Sequence, residues 1–289
     1  MPNSLQAAHQ VGAYGLELLS CSYGTRVFAT SAVLDDDRFS FWYLSPSGIV
    51  YTCQTVSLIH DFELAAAIIV AFGSRTPEQY GALPTSLLKP PSAVAFPHGF
   101  PLVDLSGCTL TMHHPETKED VNVTLKKAVF TQYTLTGRRT FVYQAITDVP
   151  IGPEKLIIKF SYQVASRRAE NALITRARDA GVENIPEVHL WEDLWTLEDV
   201  ARRVDRHEEI PKGKKEARYE DRIFRAIVYT EYYPLRILFS KHCEAIPIMV
   251  NQILDCKYPS PPIPLPDADS RANRPSRTMG ESSHSSSRS

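Results

Sequence analysis

The chain has 289 residues, of which 43% are hydrophobic and 22% are charged, and its formal net charge at pH 7 is -2. That near-neutral balance gives no whole-chain argument for binding nucleic acid or an anionic membrane surface. The five cysteines are scattered without a CxxC pair, which favours reduced thiols over a disulfide framework or a zinc site.

The first 85 residues predict a helix, a three-stranded meander and a second helix. Ser4 is placed to cap a helix that runs to about Ser20. Alternating apolar residues and turn signals predict three strands, at 26–34, 39–44 and 49–56. A largely buried helix is expected over 62–72 with Asp61 as its cap, and Thr76 followed by Pro77 predicts a short helix start.

Proline-rich residues 86–104 predict a linker, and residues 105–258 predict a second set of strands and helices. A hairpin is expected around His114, and a helix is expected to end at Gly181. The predicted strands are 108–112, 121–125, 128–135, 140–146, 155–160, 188–191 and 222–231, with helices at 164–180, 196–204 and 244–256. Residues 259–289 are rich in proline and then serine, which predicts a disordered tail. The predicted fold class is α+β.

The N-terminus lacks the basic and then apolar run of a signal peptide. The longest apolar stretch, 64–72, is too short to span a bilayer. We therefore expect an intracellular protein, cytoplasmic or nuclear, without a membrane partner.

Lys159 lies near the end of an apolar run, and Glu170 lies in the first turns of the helix that follows. A lysine on a strand and an acid on the next helix are the arrangement by which a protein kinase holds nucleotide phosphates. The same residues also fit a solvated strand end and an acid that is favourable near a helix N-terminus. Adjacent His113 and His114 would point to opposite faces of a strand, which favours a hairpin tip over a metal site.

The collinear order of several segments resembles the fungal-type protein kinase family. Gly137 lies in a segment similar to the family's glycine loop, Lys159 in one similar to its lysine strand, and Glu231 at the end of one similar to the strand that leads into the hinge. The resembling segments are 6–20, 41–43, 47–48, 58–72, 78–81, 135–142, 156–160, 166–177 and 223–231. The resemblance implies a kinase-like N-lobe over 105–258, with Gly137, Lys159, Glu170 and Glu231 near nucleotide and with ATP and Mg²⁺ as ligands.

The chain also departs from the family's pattern. Arg139 stands where the family has a second glycine, and a long side chain there is expected to hinder close approach of the backbone to phosphates. No His-Arg-Asp or Asp-Phe-Gly motif follows Lys159, and the resemblance ends near Lys257. These motifs supply the catalytic base and the metal-binding oxygens of phosphoryl transfer.

Three functions stay open from the sequence. The first is a family member truncated before the catalytic loop, inactive as a phosphotransferase and weak in binding nucleotide. The second is a fragment of a longer, active kinase. The third is a scaffold that binds a protein partner through the N-terminal meander.

Overall fold

The computed structural model describes residues 3–52, 54–91, 104–152, 155–182, 185–197 and 221–232. The described residues form three α-helices and two antiparallel sheets, which confirms the α+β class. The predicted helix at 244–256 and the predicted tail at 259–289 lie outside these residues, as does most of the predicted helix at 196–204.

The N-terminal module, residues 3–83, is a small sheet between two helices. Its central strand pairs with the preceding strand on one side and with the following strand on the other. A short fourth strand pairs with the start of the central strand. The elements are α1 (Asn3–Ser20), β1 (Ala29–Asp35), β2 (Arg38–Ser45), β3 (Gly48–Tyr51), β4 (Val56–Ser57), α2 (Phe62–Gly73) and a 3₁₀ turn (Glu78–Tyr80).

The third strand of the meander was predicted as one element over 49–56 and is split into β3 and β4. The split follows from Thr52, whose backbone N–H donates to the Phe41 carbonyl and whose hydroxyl accepts from the Phe41 N–H. A side chain thus takes the place of a backbone acceptor, and Val56 then pairs with Phe39.

The prediction that α2 is largely buried was wrong. Only Ala65 is buried, whereas Phe62 is 68% exposed and Val70 is 70% exposed. Asp61 precedes the helix but does not cap it with its side chain, because that carboxylate accepts from the Ser57 N–H instead. The short element after α2 does begin as predicted, with reciprocal hydrogen bonds between Thr76 and Gln79 that form a capping box.

The second sheet has six antiparallel strands in the order β5-β6-β7-β8-β10-β9. Strand β8 lies in its middle, between β7 and β10. The predicted hairpin around His114 joins β5 to β6. The elements are β5 (Thr109–His113), β6 (Asp120–Thr131), β7 (Phe141–Thr147), β8 (Leu156–Val164), α3 (Glu170–Asp179), β9 (Val188–Thr196) and β10 (Arg222–Thr230).

Helix α3 begins six residues later than the predicted start at 164. The chain remains a strand up to Val164 because β10 pairs along all of β8, from Leu156 opposite Thr230 to Val164 opposite Arg222. The predicted end at Gly181 is confirmed. Gly181 has φ +76°, and the Val182 and Gly181 N–H groups donate to the Ala177 and Arg178 carbonyls, which is a Schellman motif.

The core lies on one face of the six-stranded sheet and is built from stacked aromatic rings. Phe160 stacks on Phe141 with ring centroids 5.0 Å apart, and Tyr162 stacks on Phe224 at 4.7 Å. Residues before β5 cover this face: Val27, Leu83, Leu88 and Leu105 belong to the same buried cluster. Their burial brings the N-terminal module and the large sheet into one compact unit that ends at Tyr232.

Two polar contacts accompany this packing. Buried Tyr143 donates its hydroxyl to the Tyr23 carbonyl and accepts from the Leu105 N–H. Burial raises the pKa of Tyr143, and it raises the pKa of the Cys108 thiol to about 11.

None of the helices in the described part of the chain is both long and apolar enough to cross a membrane.

Gly24 gives a direct test of how tightly the module packs on the sheet. Its φ is +90°, and a Cβ there would lie 2.4 Å from Cε2 of Phe141. We expect Gly24→Ala to lower the free energy of unfolding by about 3 kcal/mol in urea denaturation, since it adds both overpacking and backbone strain. Gly12→Ala is the control because its Cβ would meet nothing within 4 Å. The control should be neutral or stabilising by about 0.5–1 kcal/mol, and equal stability of the two variants would contradict the packing.

Candidate functional site

The two faces of β8 carry different residues because successive side chains of a strand alternate. Phe160 and its alternate neighbours point into the aromatic core. Lys159, Ser161 and Gln163 occupy the opposite face, on the side where Glu170 of α3 meets the sheet. The alternation therefore collects the polar residues of this strand on a single surface.

Lys159 and Glu170 form the expected ion pair. The Lys159 Nζ lies 2.6 Å from Glu170 Oε1, and each side chain is 22% exposed. The Tyr229 hydroxyl donates to the same carboxylate oxygen at 3.1 Å. Burial raises the pKa of Tyr229, and the adjacent Glu170 carboxylate raises it further. Tyr229 is therefore a neutral donor that helps orient Glu170 toward the lysine.

A second set of contacts holds the start of α3 on the sheet. The Glu170 N–H donates to Gln163 Oε1 at 3.2 Å, and Arg225 donates to the same oxygen at 2.8 Å. Arg225 in turn makes a two-point ion pair with Asp193, in which Nη2 and Oδ2 are 2.8 Å apart. Because Ala169 precedes the helix without a capping side chain, Gln163 supplies the acceptor that a cap residue would otherwise provide.

The β6–β7 loop, residues 132–140, reaches the same surface. The Arg138 carbonyl accepts from the Tyr162 N–H at 2.7 Å, which extends the ladder between β7 and β8. The Arg138 guanidinium lies 4.0 Å from Glu170 Oε2. Gly137 has φ +96°, and its N–H donates to the Pro46 carbonyl of the N-terminal module at 2.8 Å. The amide that was predicted to lie near phosphate is thus already hydrogen-bonded.

Arg139 points into the N-terminal module and is only 2% exposed. Its guanidinium donates to the Val27 carbonyl at 2.9 Å, to the Leu19 carbonyl at 2.8 Å and to the Ser22 hydroxyl at 3.2 Å. Burial lowers the pKa of Arg139. Leu19 is in the last turn of α1, where the helix dipole favours a cation. The side chain that was expected to hinder phosphates is therefore a structural tie to the module.

Glu231 lies apart from the ion pair. Ile227 pairs with Lys159 across the strands, and Glu231 follows four residues later, roughly 13 Å further along at the usual strand rise. Its carboxylate accepts from Gln144 at 2.9 Å, and its N–H donates to the Lys155 carbonyl at 2.9 Å. The structure thus brings Lys159, Glu170 and the loop of Gly137 together, but not Glu231.

A family model described as fungal protein kinase matches residues 3–235. The chain belongs to this family. No curated protein and no solved structure matches the chain. The family match spans both the N-terminal module and the six-stranded sheet, so the contacts between them lie within the fungal protein kinase region.

Several residues around the Lys159–Glu170 pair were not predicted from the sequence. The period of two along β8 was sufficient to place Ser161 and Gln163 beside Lys159. Arg225 and Asp193 required the register between β9 and β10, which contains shifts next to Arg225 and Tyr229 that no sequence pattern indicates. The Pro46 contact joins residues 91 positions apart in the chain and has no local signal.

The histidine pair forms a hairpin tip, as predicted. His113 contacts Glu192 at 3.1 Å and Asp120 at 3.3 Å, and the His114 ring accepts from the N–H groups of Glu116 and Thr117. Across the described ranges, no group of three His, Cys, Asp or Glu side chains is arranged to hold a metal ion.

His189, at the start of β9, makes stability depend on pH. Its Nε2 lies 2.9 Å from the Thr230 hydroxyl, and burial lowers its pKa below the ordinary value. The unfolded chain takes up a proton near pH 6.5 that the folded chain takes up only at lower pH. The contribution of His189 to stability therefore decreases as pH falls from about 7 to 5. We expect wild type to lose more unfolding free energy over this interval than His189→Gln, measured by urea denaturation at both pH values.

His9→Gln is the control for this measurement, because His9 is an exposed histidine of α1. It should retain the wild-type pH dependence. If His189→Gln loses as much stability as wild type between pH 7 and 5, the assigned pKa shift of His189 is wrong.

Proposed function

We propose that residues 105–232 form a kinase-type N-lobe whose Lys159–Glu170 pair contacts nucleotide phosphates, and that this chain binds ATP weakly without transferring its phosphoryl group. The observation that carries the proposal is the 2.6 Å contact between Lys159 on β8 and Glu170 at the start of α3. In protein kinases a lysine held by a glutamate of the following helix contacts the α- and β-phosphates. The match to the fungal protein kinase family supports this assignment.

The topology gives further support. Strands β6 to β10 form an antiparallel sheet in the order β6-β7-β8-β10-β9, and α3 follows β8 in the chain. A loop with a glycine of positive φ joins β6 to β7 and ends beside the ion pair. The arrangement places a cation, a carboxylate that orients it and a glycine-containing loop around one surface. Protein kinases position phosphates with groups of these kinds.

Weak binding is expected from what the described residues offer to a nucleotide. Lys159 provides one charge-assisted contact, while the Gly137 amide is engaged with Pro46. ATP would be held through its phosphates by Lys159, and Mg²⁺, when bound with the nucleotide, neutralises phosphate charge. The absence of His-Arg-Asp and Asp-Phe-Gly after Lys159 in the sequence supports binding without phosphoryl transfer.

Titration of the full chain with ATP and Mg²⁺ tests this function. We expect a dissociation constant between about 0.1 and 1 mM, and about tenfold weaker binding by Lys159→Met, because one charge-assisted contact is worth about 1.5 kcal/mol. ATP hydrolysis should not exceed the rate without protein. Lys127→Met is the matched control, since Lys127 is exposed on β6 and carries the same charge. Equal affinities of Lys159→Met and wild type would contradict the proposed site.

A second candidate function is a protein-interaction module, and α2 favours it. This helix of twelve residues carries a single charge, Glu63, yet most of its apolar side chains are exposed. Beside it lies a cavity of about 880 Å³ whose lining includes Phe41, Ile68 and Phe72. An apolar helix with so little burial is typical of an interaction surface rather than of a free helix.

Self-association of the full chain tests this surface. Sedimentation of wild type should show concentration-dependent association, and the double variant Ile69→Glu, Val70→Glu should remain monomeric, because both side chains are at least 60% exposed. The control Ile49→Glu changes an exposed apolar residue outside the helix. Association that is unchanged in the double variant would remove α2 as the interaction surface.

A further inference from the structure

We propose that the N-terminal module holds the β6–β7 loop in a state that withholds the Gly137 amide from nucleotide, so that the module sets the nucleotide affinity of the Lys159–Glu170 surface. This inference rests on the proposed function, because it concerns regulation of the same site. Three groups of contacts carry it.

The first contact is the buried Arg139 guanidinium. All three of its acceptors belong to the N-terminal module: the carbonyls of Leu19 and Val27 and the hydroxyl of Ser22. Arg139 is followed two residues later by Phe141, the first residue of β7, which packs into the aromatic core. One end of the loop is therefore fixed to both the module and the sheet.

The second contact is apolar. Leu135, at the middle of the loop, packs on the cluster of Val11, Leu19, Ala29 and Leu44 between α1 and the small sheet. Gly15 makes room for Leu44 of this cluster, because a Cβ there would lie 2.7 Å from Leu44, and the same position is within van der Waals distance of Leu135, at 3.5 Å. The loop thus contributes a side chain to the module's own core.

The third group consists of hydrogen bonds along the loop and its entry. The Tyr133 hydroxyl donates to Glu17 Oε1 at 2.5 Å, and the Thr131 hydroxyl donates to the Ser20 carbonyl at 3.3 Å. The Gly137 N–H donates to the Pro46 carbonyl at 2.8 Å. From its entry to its end, the loop is tied to α1 and to the turn between β2 and β3.

These contacts bear on nucleotide binding through Gly137 and Arg138. A backbone N–H that donates to Pro46 is not available to a phosphate oxygen, and glycine-loop amides bind phosphates by such donation. Arg138 meanwhile lies 4.0 Å from the carboxylate that Lys159 also contacts. Around Gly137 a Cβ would meet nothing within 4 Å, so no neighbouring atom crowds this position of the loop.

The test loosens the loop without touching the ion pair. Leu135→Ala removes the apolar anchor, and Leu34→Ala is the control because Leu34 is 61% exposed on β1 of the same module. In the full chain we expect Leu135→Ala to lower the ATP dissociation constant at least threefold and to speed amide hydrogen exchange in residues 132–140. The control should leave both unchanged. Adding Lys159→Met to Leu135→Ala should abolish the gain.

The outcomes separate this inference from the proposed function. If ATP binding of wild type does not depend on Lys159, the proposed function fails. If ATP binding depends on Lys159, two results for Leu135→Ala would overturn regulation by the module. One is faster amide hydrogen exchange in residues 132–140 without tighter ATP binding, and the other is exchange no faster than in wild type.

Tyr133→Phe provides a milder variant should Leu135→Ala unfold, since Tyr133 is exposed and loses only its hydrogen bond to Glu17. It should show the same two changes at smaller size, and their absence would also overturn the inference.

Discussion

The burial of the Arg139 guanidinium is the constraint on which the arrangement of this protein depends. A buried cation is costly unless its donors are satisfied, and Arg139 meets three oxygens of the N-terminal module at hydrogen-bond distance. Those oxygens come from the end of α1 and from the turn that leads to β1. The end of α1, the entry to the small sheet and the start of β7 must therefore come together before the charge can be buried. The glycine-containing loop takes its position from the same requirement.

The two faces of the six-stranded sheet have separate roles. Stacked aromatic rings fill one face and are covered by residues that precede β5. The other face carries Lys159, Gln163 and Arg225, each held by a partner of opposite charge or by an amide. A rigid apolar layer thus supports a polar surface whose side chains are already oriented. A surface whose polar groups are oriented in advance is suited to the phosphate contact proposed above, because those groups need not rearrange when a ligand binds.

Much of the fold was predictable from the sequence because local periodicity and turn chemistry agree with it. Aromatic residues alternate along the strand around Tyr43, the strand around Phe160 begins as an apolar run, and Gly181 ends α3 as a glycine is expected to. The Lys159–Glu170 pair was predictable from strand and helix order. The failures have a common physical cause, which is that local pattern does not report contacts, or their absence, between distant parts of the chain. The apolar pattern of α2 predicted burial, but no sequence pattern reports whether a neighbour covers a helix. Arg139 looked like an obstacle to phosphates because its acceptors lie more than 100 residues earlier in the chain.

The covering of the aromatic layer by Val27, Leu83 and Leu88 has a consequence for how the protein folds. These residues precede β5, so the large sheet cannot complete its hydrophobic core from its own strands. The first 88 residues act as one wall of that core rather than as an appended domain. We therefore expect both sheets to be lost in a single cooperative transition. Because the N-terminal residues are synthesised first, we expect them to be available to cover the aromatic layer when the strands of the large sheet emerge.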